Sequence, residues 1–233
     1  NSTVGAVSYF WDFDDGTSAL TANPTKLYSL PGTYHLSLLA TNANGCQSVY
    51  NLPQPVVIHP VPSANFTASA TTACSPSQSF TFTPSVTNAA SYLWTFGDGT
   101  TSTAVNPTKT YSSPGTYSVQ LTITNSFGCS ENLLRQNYIT VLTPVNPTIT
   151  ATVTSGCVPV VTSYTTNIAN ATSYAWNFGN GQTGTSASQS VSYAQAGTFT
   201  PQLSVTMANG CVYSTSSPGL ITANPNPAAQ FSI

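Results

Sequence analysis

Charged residues are scarce in this sequence of 233 residues, which has three Lys or Arg and five Asp or Glu, or 3% of the chain. A typical globular domain has about a quarter of its residues charged. Three cationic side chains provide almost no material for a nucleic-acid footprint or for a patch that binds anionic membranes. We therefore expect no nucleic-acid partner.

Long hydrophobic runs are also missing, because no stretch reaches the roughly 18 apolar residues of a transmembrane helix. We therefore expect no membrane insertion. The start of the sequence shows neither a charged segment nor an apolar segment typical of an export signal, so we expect any such signal to lie outside it. Disorder is not expected, since aromatic residues make up 11% of the chain.

What the sequence does contain is a threefold repeat. The copies read SYFWDFDDGTS from Ser8, SYLWTFGDGTT from Ser91 and SYAWNFGNGQT from Ser173. Their tryptophans lie 83 and 82 residues apart, at Trp11, Trp94 and Trp176. Each copy continues to a Gly-Cys pair 35 residues after its tryptophan, at Cys46, Cys129 and Cys211. A repeat of this length predicts a tandem array of small domains, because about 80 residues are enough to close a core.

The repeat predicts the domain boundaries. We expect repeat 1 at 1–60, repeat 2 at 61–144, repeat 3 at 145–224 and the start of a fourth repeat at 225–233. Asn1 aligns with Pro84 of repeat 2, so repeat 1 lacks its beginning. We expect the sequence to be a segment of something longer.

The five cysteines follow the repeat. Beside the late cysteines of the Gly-Cys pairs, Cys74 and Cys157 lie 20 and 19 residues before their tryptophans. One early and one late cysteine per repeat predicts the disulfides Cys74–Cys129 and Cys157–Cys211, with the partner of Cys46 before residue 1. Disulfides indicate an extracellular compartment. Metal binding by these cysteines is disfavoured, because the sequence has no CxxC pair.

A period of two dominates the local pattern. Tyr92, Trp94 and Phe96 alternate with Leu93 and Thr95, which predicts a strand with one buried face. The same pattern in the other repeats places all three tryptophans in domain cores. No segment has an apolar helical period, and turn signals recur about every ten residues, so we predict an all-β fold of β-sandwiches.

Proline marks two further features of the array. Pro201 falls at an inward position of the late strand of repeat 3 and predicts a bulge or an edge there. Each linker between repeats holds two prolines, as in HPVPSANF. Because proline favours extended backbone, we expect stiff, short connectors and an extended array.

The order of these motifs resembles the PKD (polycystic kidney disease) domain. In repeat 2 they read WTFGDG, NPTKTY, PGTYSVQL and NSFGC, and repeat 3 keeps the skeleton but has Asn180 for the Asp and lacks the Asn-Pro. The resemblance implies tandem immunoglobulin-like β-sandwiches. The family occurs in bacterial and archaeal surface proteins and as accessory modules of secreted proteases and polysaccharide hydrolases. The Cys-bearing variety is most similar to repeats of very large surface adhesins of gliding Bacteroidota.

Catalytic residues are not expected. His35 lies on a strand face that points to solvent, and His59 lies in a linker; neither recurs in the other repeats. Neither histidine has a nucleophile beside it, and five acids are too few for the usual pairs and triads across three repeats. We predict a segment that is not an enzyme and needs no cofactor.

The acids of repeat 1 are the one candidate metal site. Asp12, Asp14 and Asp15 could contribute oxygens to Ca²⁺ at a flexible turn. Against this, the position of Asp15 is Asp98 in repeat 2 and Asn180 in repeat 3. Asp and Asn are equivalent as turn formers but not as charged ligands. We therefore interpret Asp15, Asp98 and Asn180 as structural turn residues and expect no metal.

Two functions fit these expectations. The first is a non-catalytic structural or adhesive segment at the cell surface, forming a stalk or filament of a large bacterial protein and gaining avidity from repetition. The alternative is a set of spacer or substrate-binding modules of a secreted polysaccharide hydrolase or protease. Expected partners are neighbouring repeats, and further candidates are other copies in a fibre, joined by strand addition of residues 226–233, and surface glycans or proteins.

Overall fold

The computed structural model describes residues 3–230, and every regular element in that range is a β-strand. The predicted all-β fold is confirmed. No helix in this part of the chain is long and apolar enough to cross a membrane. The predicted start of a fourth repeat has no strand at 225–230, and its last three residues lie outside the described range.

Twenty-four strands follow one another in residues 3–230. The strands of residues 3–60 are β1 (Ala6–Asp12), β2 (Ser18–Ala19), β3 (Gly32–Tyr34), β4 (Ser37–Asn42), β5 (Gln47–Asn51) and β6 (Val56–Ile58). The strands of residues 61–144 are β7 (Phe66–Ala68), β8 (Thr72–Ala73), β9 (Ser79–Pro84), β10 (Ser91–Thr95), β11 (Thr101–Ser102), β12 (Thr108–Thr110), β13 (Gly115–Thr124) and β14 (Ser130–Val141).

Repeat 3 is built in the same manner. Its strands are β15 (Ile149–Ala151), β16 (Ser155–Cys157), β17 (Val160–Thr166), β18 (Ser173–Asn177), β19 (Thr183–Gly184), β20 (Ser188–Tyr193), β21 (Gly197–Phe199), β22 (Gln202–Thr206), β23 (Val212–Ser216) and β24 (Ile221–Asn224). The equivalent sheets have the orders β2-β1-β4-β5 in repeat 1 and β19-β18-β22-β23 in repeat 3.

The chain divides into two compact units that do not coincide with the predicted repeats. Unit 1 comprises the described parts of Asn1–Ala70, Phe80–Lys109 and Tyr117–Tyr138, and unit 2 those of Thr71–Ser79, Thr110–Thr116 and Ile139–Ile233. The repeat boundaries stay a prediction.

The tryptophan strands have the same register in all three repeats. Each tryptophan lies directly opposite a leucine of the neighbouring antiparallel strand, as Trp11 opposite Leu38, Trp94 opposite Leu121 and Trp176 opposite Leu203. Such cross-strand pairs of large apolar side chains stabilise a sheet. The register therefore fixes the turn that follows each tryptophan strand in the same position.

The core of unit 1 is built from aromatic rings. Phe66 of β7 and Phe82 of β9 pack on Trp94 with ring centroids 5.1 Å and 5.8 Å away. These three side chains are fully buried. Edge-to-face and tilted contacts of this kind are the arrangements that aromatic rings prefer.

Trp11 differs from the other two tryptophans, because it is only half-buried. The prediction that it is a core residue is therefore corrected. Trp94 is covered by Phe66 of β7 and Phe82 of β9, whereas the described residues before Trp11 form no equivalent of these two strands. The Trp11 indole N–H still donates to the Thr21 carbonyl, as that of Trp94 donates to Ala104.

The core of unit 2 surrounds Trp176, which packs on Tyr164 and Phe178. The buried hydroxyls of Tyr164 and Tyr193 lie 2.6 Å apart, and the Tyr193 hydroxyl also donates to the Phe178 carbonyl. Burial raises the pKa of both phenols. This hydrogen bond satisfies two polar groups that burial would otherwise leave unpaired.

Pro201 interrupts the late strand of repeat 3. The corresponding strand of repeat 2, β13, runs without a break, whereas in repeat 3 the strand is divided into β21 and β22 on either side of Pro201. Proline has no N–H to donate to a ladder, but the late strand of repeat 1 is divided at the same place, between β3 and β4, without a proline. The sequence predicted a bulge or an edge, and the structure has a break between two strands.

Candidate functional site

The turns that follow the tryptophan strands carry four of the five acidic side chains in this sequence. We name them corner 1 (residues 12–17), corner 2 (95–100) and corner 3 (177–182). Each is closed by a backbone hydrogen bond from its phenylalanine N–H to the carbonyl four residues later, with lengths of 3.3, 3.2 and 3.1 Å. The three corners therefore share one backbone conformation.

Corner 2 is organised by the carboxylate of Asp98. Its Oδ1 accepts hydrogen bonds from the Thr100 N–H at 3.1 Å and the Thr100 hydroxyl at 2.6 Å. Its Oδ2 lies 2.5 Å from the Lys109 ammonium, and this lysine also lies over the ring of Phe96. The hydrogen-bond and ion-pair partners of the Asp98 carboxylate thus all lie within its own repeat.

The pKa of Asp98 reflects these contacts. Burial alone would raise it, but hydrogen bonds from Lys109 and Thr100 outweigh burial and hold the pKa below its ordinary value of 3.8. A carboxyl group with a lowered pKa stays ionised at neutral pH and is poorly suited to donate a proton. This electrostatic setting is that of a structural ion pair.

Corner 1 repeats this arrangement. Asp15 forms an ion pair with Lys26 and accepts hydrogen bonds from the Thr17 N–H and hydroxyl at 3.1 and 2.6 Å. Hydrogen bonds from Lys26 and Thr17 lower the pKa of Asp15. Two of the three cationic side chains in the sequence, Lys26 and Lys109, therefore pair with a corner acid.

Corner 3 keeps the turn without the charge. Asn180 Oδ1 accepts from the Gln182 N–H at 3.1 Å, and Asn180 Nδ2 donates to the Ser192 carbonyl. The position of Lys109 is taken by Val191, which is buried in the core of unit 2. The acid and its lysine are thus both absent from the third repeat.

The lysines are the residues that sequence reasoning missed. The structure places Asp15, Asp98 and Asn180 in the three corners, and the pairing of the two acids with Lys26 and Lys109 was not predicted. A signal for it was present, because the one repeat that has Asn for Asp also lacks the lysine. Loss of both partners together is the pattern of an ion pair.

Glycine is required at one position of corner 2. Gly97 has φ of +80°, and a Cβ at this residue would lie 2.5 Å from the backbone oxygen of Ser118. In corner 1 the equivalent residue is Asp14, with φ of +61°. Its carboxylate accepts from the N–H of His35, the residue equivalent to Ser118, at the point where β3 and β4 are interrupted.

The structure does not bring the three acids of corner 1 together. Asp12 Oδ1 accepts from the Asp14 N–H, Asp14 Oδ2 contacts His35, and Asp15 pairs with Lys26. Among the described residues, no group of acids, histidines and cysteines could hold a metal ion. The calcium candidate therefore gains no support from this geometry.

A second polar site lies where the linker enters repeat 2. Asn125 Nδ2 donates to the Pro60 carbonyl at 2.9 Å, while Asn125 Oδ1 accepts from the N–H groups of Phe127 and Cys129. The imidazole of His59 stacks on Phe127 with ring centroids 3.6 Å apart. We name this set of contacts the linker clamp, because it fixes the end of the linker to repeat 2.

The cysteines pair differently from the prediction. The structure joins Cys74 to Cys211, and Cys46, Cys129 and Cys157 carry free thiols. The predicted pairs Cys74–Cys129 and Cys157–Cys211 are therefore wrong. The Cα atoms of Cys74 and Cys211 lie 5.6 Å apart, within the reach of a disulfide. Spacing alone did not distinguish a pair within one repeat from a pair between adjacent repeats.

Other side chains of these repeats lie at the surface. His35 is exposed as predicted, although it lies between β3 and β4 and not on a strand. Phe10 and Leu93 are also exposed. Tyr213 is half-buried instead, and its hydroxyl donates to the Cys74 carbonyl, so this aromatic residue packs against a neighbouring segment of unit 2.

Comparison with known proteins agrees with this architecture. The family model of the PKD domain matches three times, at residues 1–52, 58–141 and 143–220. Among curated proteins, the chain is 63% identical over 38 residues to collagenase ColA of Bacillus cereus, covering 16% of this chain and 4% of that protein. It is 49% identical over 57 residues to the pre-pro-metalloprotease PrtV of Vibrio cholerae, covering 24% of this chain and 6% of that protein.

The similar solved structures include single PKD domains. The crystal structure of the PKD1 domain from the Vibrio cholerae metalloprotease PrtV is 34% identical, with a TM-score of 0.31, covering 36% of this chain and 99% of that one. The chain thus spans a small fraction of the full-length curated relatives. With three family matches that cover most of its residues, it belongs to the PKD domain family and is a tandem array of PKD repeats.

Proposed function

We propose that this chain is a non-catalytic extracellular segment that forms part of a stalk or filament of a large bacterial surface protein. The observation that supports this most is the bracing where successive repeats follow one another. The linker after repeat 1 is held by the clamp between Pro60 and Asn125. The early segment of repeat 2 is bonded covalently to the end of repeat 3 through Cys74–Cys211.

The use of the charged side chains also supports a structural role. Lys26 and Lys109 pair with corner acids, and Arg135 packs on the rings of Phe66 and Tyr138. The pKa directions of the corner acids favour their ionised, paired form. Groups committed to such internal contacts are ill suited to act on a substrate.

An oxidising location is consistent with the disulfide. Bonds such as Cys74–Cys211 persist in secreted and surface proteins and are rare in the cytosol. The proposed mechanism is mechanical, in that stiff connectors and braced junctions hold a binding tip away from the cell, or present many weak sites whose avidity comes from repetition. Neighbouring repeats are then its principal partners.

Small-angle X-ray scattering tests this proposal. A single compact domain of 233 residues has a radius of gyration of about 17 Å. We expect a clearly larger radius of gyration for a stalk segment. Asn125→Ala removes the linker clamp and should make the connection between repeats 1 and 2 less stiff. Asn132→Ala, an exposed change in the same repeat, is the matched control. A radius near the compact value would contradict the proposal.

The matches to collagenase ColA and PrtV favour a second candidate function. In this alternative the repeats are spacer or substrate-binding modules of a secreted protease or polysaccharide hydrolase. Co-sedimentation with insoluble collagen and with chitin, using albumin as the control protein, separates the two. Saturable binding that is lost with Leu93→Ala or Phe10→Ala, both exposed, would favour the alternative. An extended particle without such binding favours the stalk.

A further inference from the structure

The three late cysteines occupy the same place in their repeats. Each closes a turn in which its carbonyl accepts a hydrogen bond from the N–H four residues earlier. The distances are 3.0 Å for Asn42 to Cys46, 2.9 Å for Asn125 to Cys129 and 2.8 Å for Met207 to Cys211. Cys46 and Cys129 therefore occupy in their repeats the backbone position that Cys211 occupies in repeat 3.

The two early cysteines are likewise equivalent. Cys74 directly follows β8, which runs parallel to the end of β14, and Cys157 is the last residue of β16, which runs parallel to β24. Both cysteines thus end a short parallel strand at the same edge of their repeats. Cys157 is exposed there, whereas Cys74 is half-buried and bonded.

The one disulfide joins an early position to a late position of the next repeat. Cys74 belongs to repeat 2 and Cys211 to repeat 3, with a sequence separation of 137 residues. A second contact supports this pairing, because the Tyr213 hydroxyl donates to the Cys74 carbonyl at 3.0 Å. Cys211 is buried at this contact. All three residues lie within unit 2.

We propose that the cysteines of this array pair with an offset of one repeat, the early cysteine of each repeat bonding the late cysteine of the repeat that follows. This rule accounts for all three free thiols at once. Under this rule, Cys157 forms a disulfide with the late cysteine of a PKD repeat placed after residue 224. Cys46 and Cys129 each form a disulfide with the early cysteine of the PKD repeat that precedes their own repeat. The repeats are then linked by a covalent ladder.

The chemistry of each rung is a thiol–disulfide exchange. Two cysteine thiols lose two protons and two electrons, and one S–S bond forms between repeats. The oxidant is a disulfide, such as oxidised glutathione, whose own S–S bond breaks to give two thiols. The exposed thiols of Cys46 and Cys157 are accessible to such an exchange.

The existing chain tests the bonded pair. We expect a non-reducing peptic digest of protein refolded in glutathione buffer and blocked with iodoacetamide to contain one cross-linked peptide pair, Cys74 with Cys211. The other three cysteines should be alkylated. Cys211→Ser should make Cys74 reactive, whereas Cys129→Ser should leave it unreactive. A Cys74–Cys129 or Cys157–Cys211 peptide would overturn the offset rule.

A lengthened chain tests the rule itself. Appending a second copy of residues 69–144 to the C-terminus completes a fourth repeat with an early and a late cysteine. We expect Cys157 to bond the appended late cysteine and its alkylation to fall at least tenfold, while the appended early cysteine stays alkylated. The matched control carries Cys129→Ser in the appended copy only, and its Cys157 should again be fully alkylated.

Other outcomes of the second experiment would overturn the proposal. One is a bond between the two appended cysteines with Cys157 still alkylated. Another is a Cys157 bond that appears only in dimers on a non-reducing gel, which would mean pairing between molecules. The readout is a peptide mass and does not depend on whether the segment serves as a stalk, so the two proposals fail separately.

Discussion

Corners 2 and 3 have the same backbone but opposite electrostatic designs. In corner 2 the Asp98 carboxylate is paired with Lys109, whereas corner 3 has the neutral Asn180, and the position of the lysine is Val191. The closing backbone hydrogen bonds, at 3.2 and 3.1 Å, are nearly identical. The turn therefore depends on the side-chain acceptor and on glycine, and the charge is an addition to it.

The comparison also explains why the charges occur as pairs. The side chains of Lys109 and Asp98 are only 13% and 20% exposed. A charge that is largely removed from water and lacks a partner is destabilising. A repeat that loses the acid is thus expected to lose the lysine too, and Val191 uses the space for apolar packing.

The largest expected effect comes from the glycine that both corners share. Gly97→Ala places a Cβ 2.5 Å from the Ser118 carbonyl oxygen in a left-handed conformation. We expect the free energy of unfolding to fall by about 3 kcal/mol. The measurement is urea denaturation followed by tryptophan fluorescence.

Two glycine variants serve as controls for that result. Gly99 has φ of +86° but open space around its Cβ position, so Gly99→Ala should cost only about 1 kcal/mol. Gly179→Ala should fall between the two, since its nearest backbone atom lies at 3.1 Å. Equal losses for Gly97→Ala and Gly99→Ala would show that the close approach to Ser118 is unimportant.

Converting corner 2 into corner 3 measures the ion pair. Asp98→Asn and Lys109→Val should each lower the free energy of unfolding by about 1 kcal/mol, because each leaves a largely buried partner unpaired. The double variant should lose less than the sum of the two. Strictly additive losses in this double-mutant cycle would mean that the pair contributes nothing.

Low pH should distinguish a corner with a paired carboxylate from a corner with a neutral amide. The folded-state pKa of Asp98 is lowered, so its contribution to stability is present above the ordinary value of 3.8 and is lost as the pH falls through the lower folded value. Asp98→Asn should therefore reduce the loss of stability between about pH 5 and about pH 2. Denaturation midpoints at several pH values provide the test, and an unchanged slope would contradict it.

The smallest effect is expected from placing a charge in corner 3. Asn180→Asp keeps the acceptor for the Gln182 N–H but removes the donor to the Ser192 carbonyl and supplies no lysine. We expect a loss of about 0.5 kcal/mol at neutral pH that shrinks in acid as the carboxylate is protonated. Denaturation at both pH values checks this, and a gain in stability would contradict it.

Much of this fold could be predicted from local patterns. Alternation around Trp94 predicts the strand, because the side-chain period acts locally. Pro201 predicted an irregularity in the late strand of repeat 3, although a break and not a bulge or an edge is found there. The turn role of Asp98 followed from its replacement by Asn180. These features depend on neighbours a few residues away, which a single sequence displays.

Long-range pairings could not be predicted in the same way. The lysine that pairs with Asp98 lies in another strand, and the partner of Cys74 lies in another repeat. In a periodic sequence, a cysteine has an equivalent partner one period further along, so counting leaves the choice open. The half-burial of Trp11 likewise depends on strands that the pattern around it does not reveal.

The hydroxyl pair of Tyr164 and Tyr193 has a consequence at the opposite end of the pH scale. Burial raises the pKa of both phenols above the ordinary value of 10.0, so the stability that they support is intact below that pH. Above it, the unfolded chain releases protons that folded unit 2 retains, and alkali favours unfolding. Near-ultraviolet absorbance rises when these two tyrosines ionise, and this rise therefore reports the opening of that core.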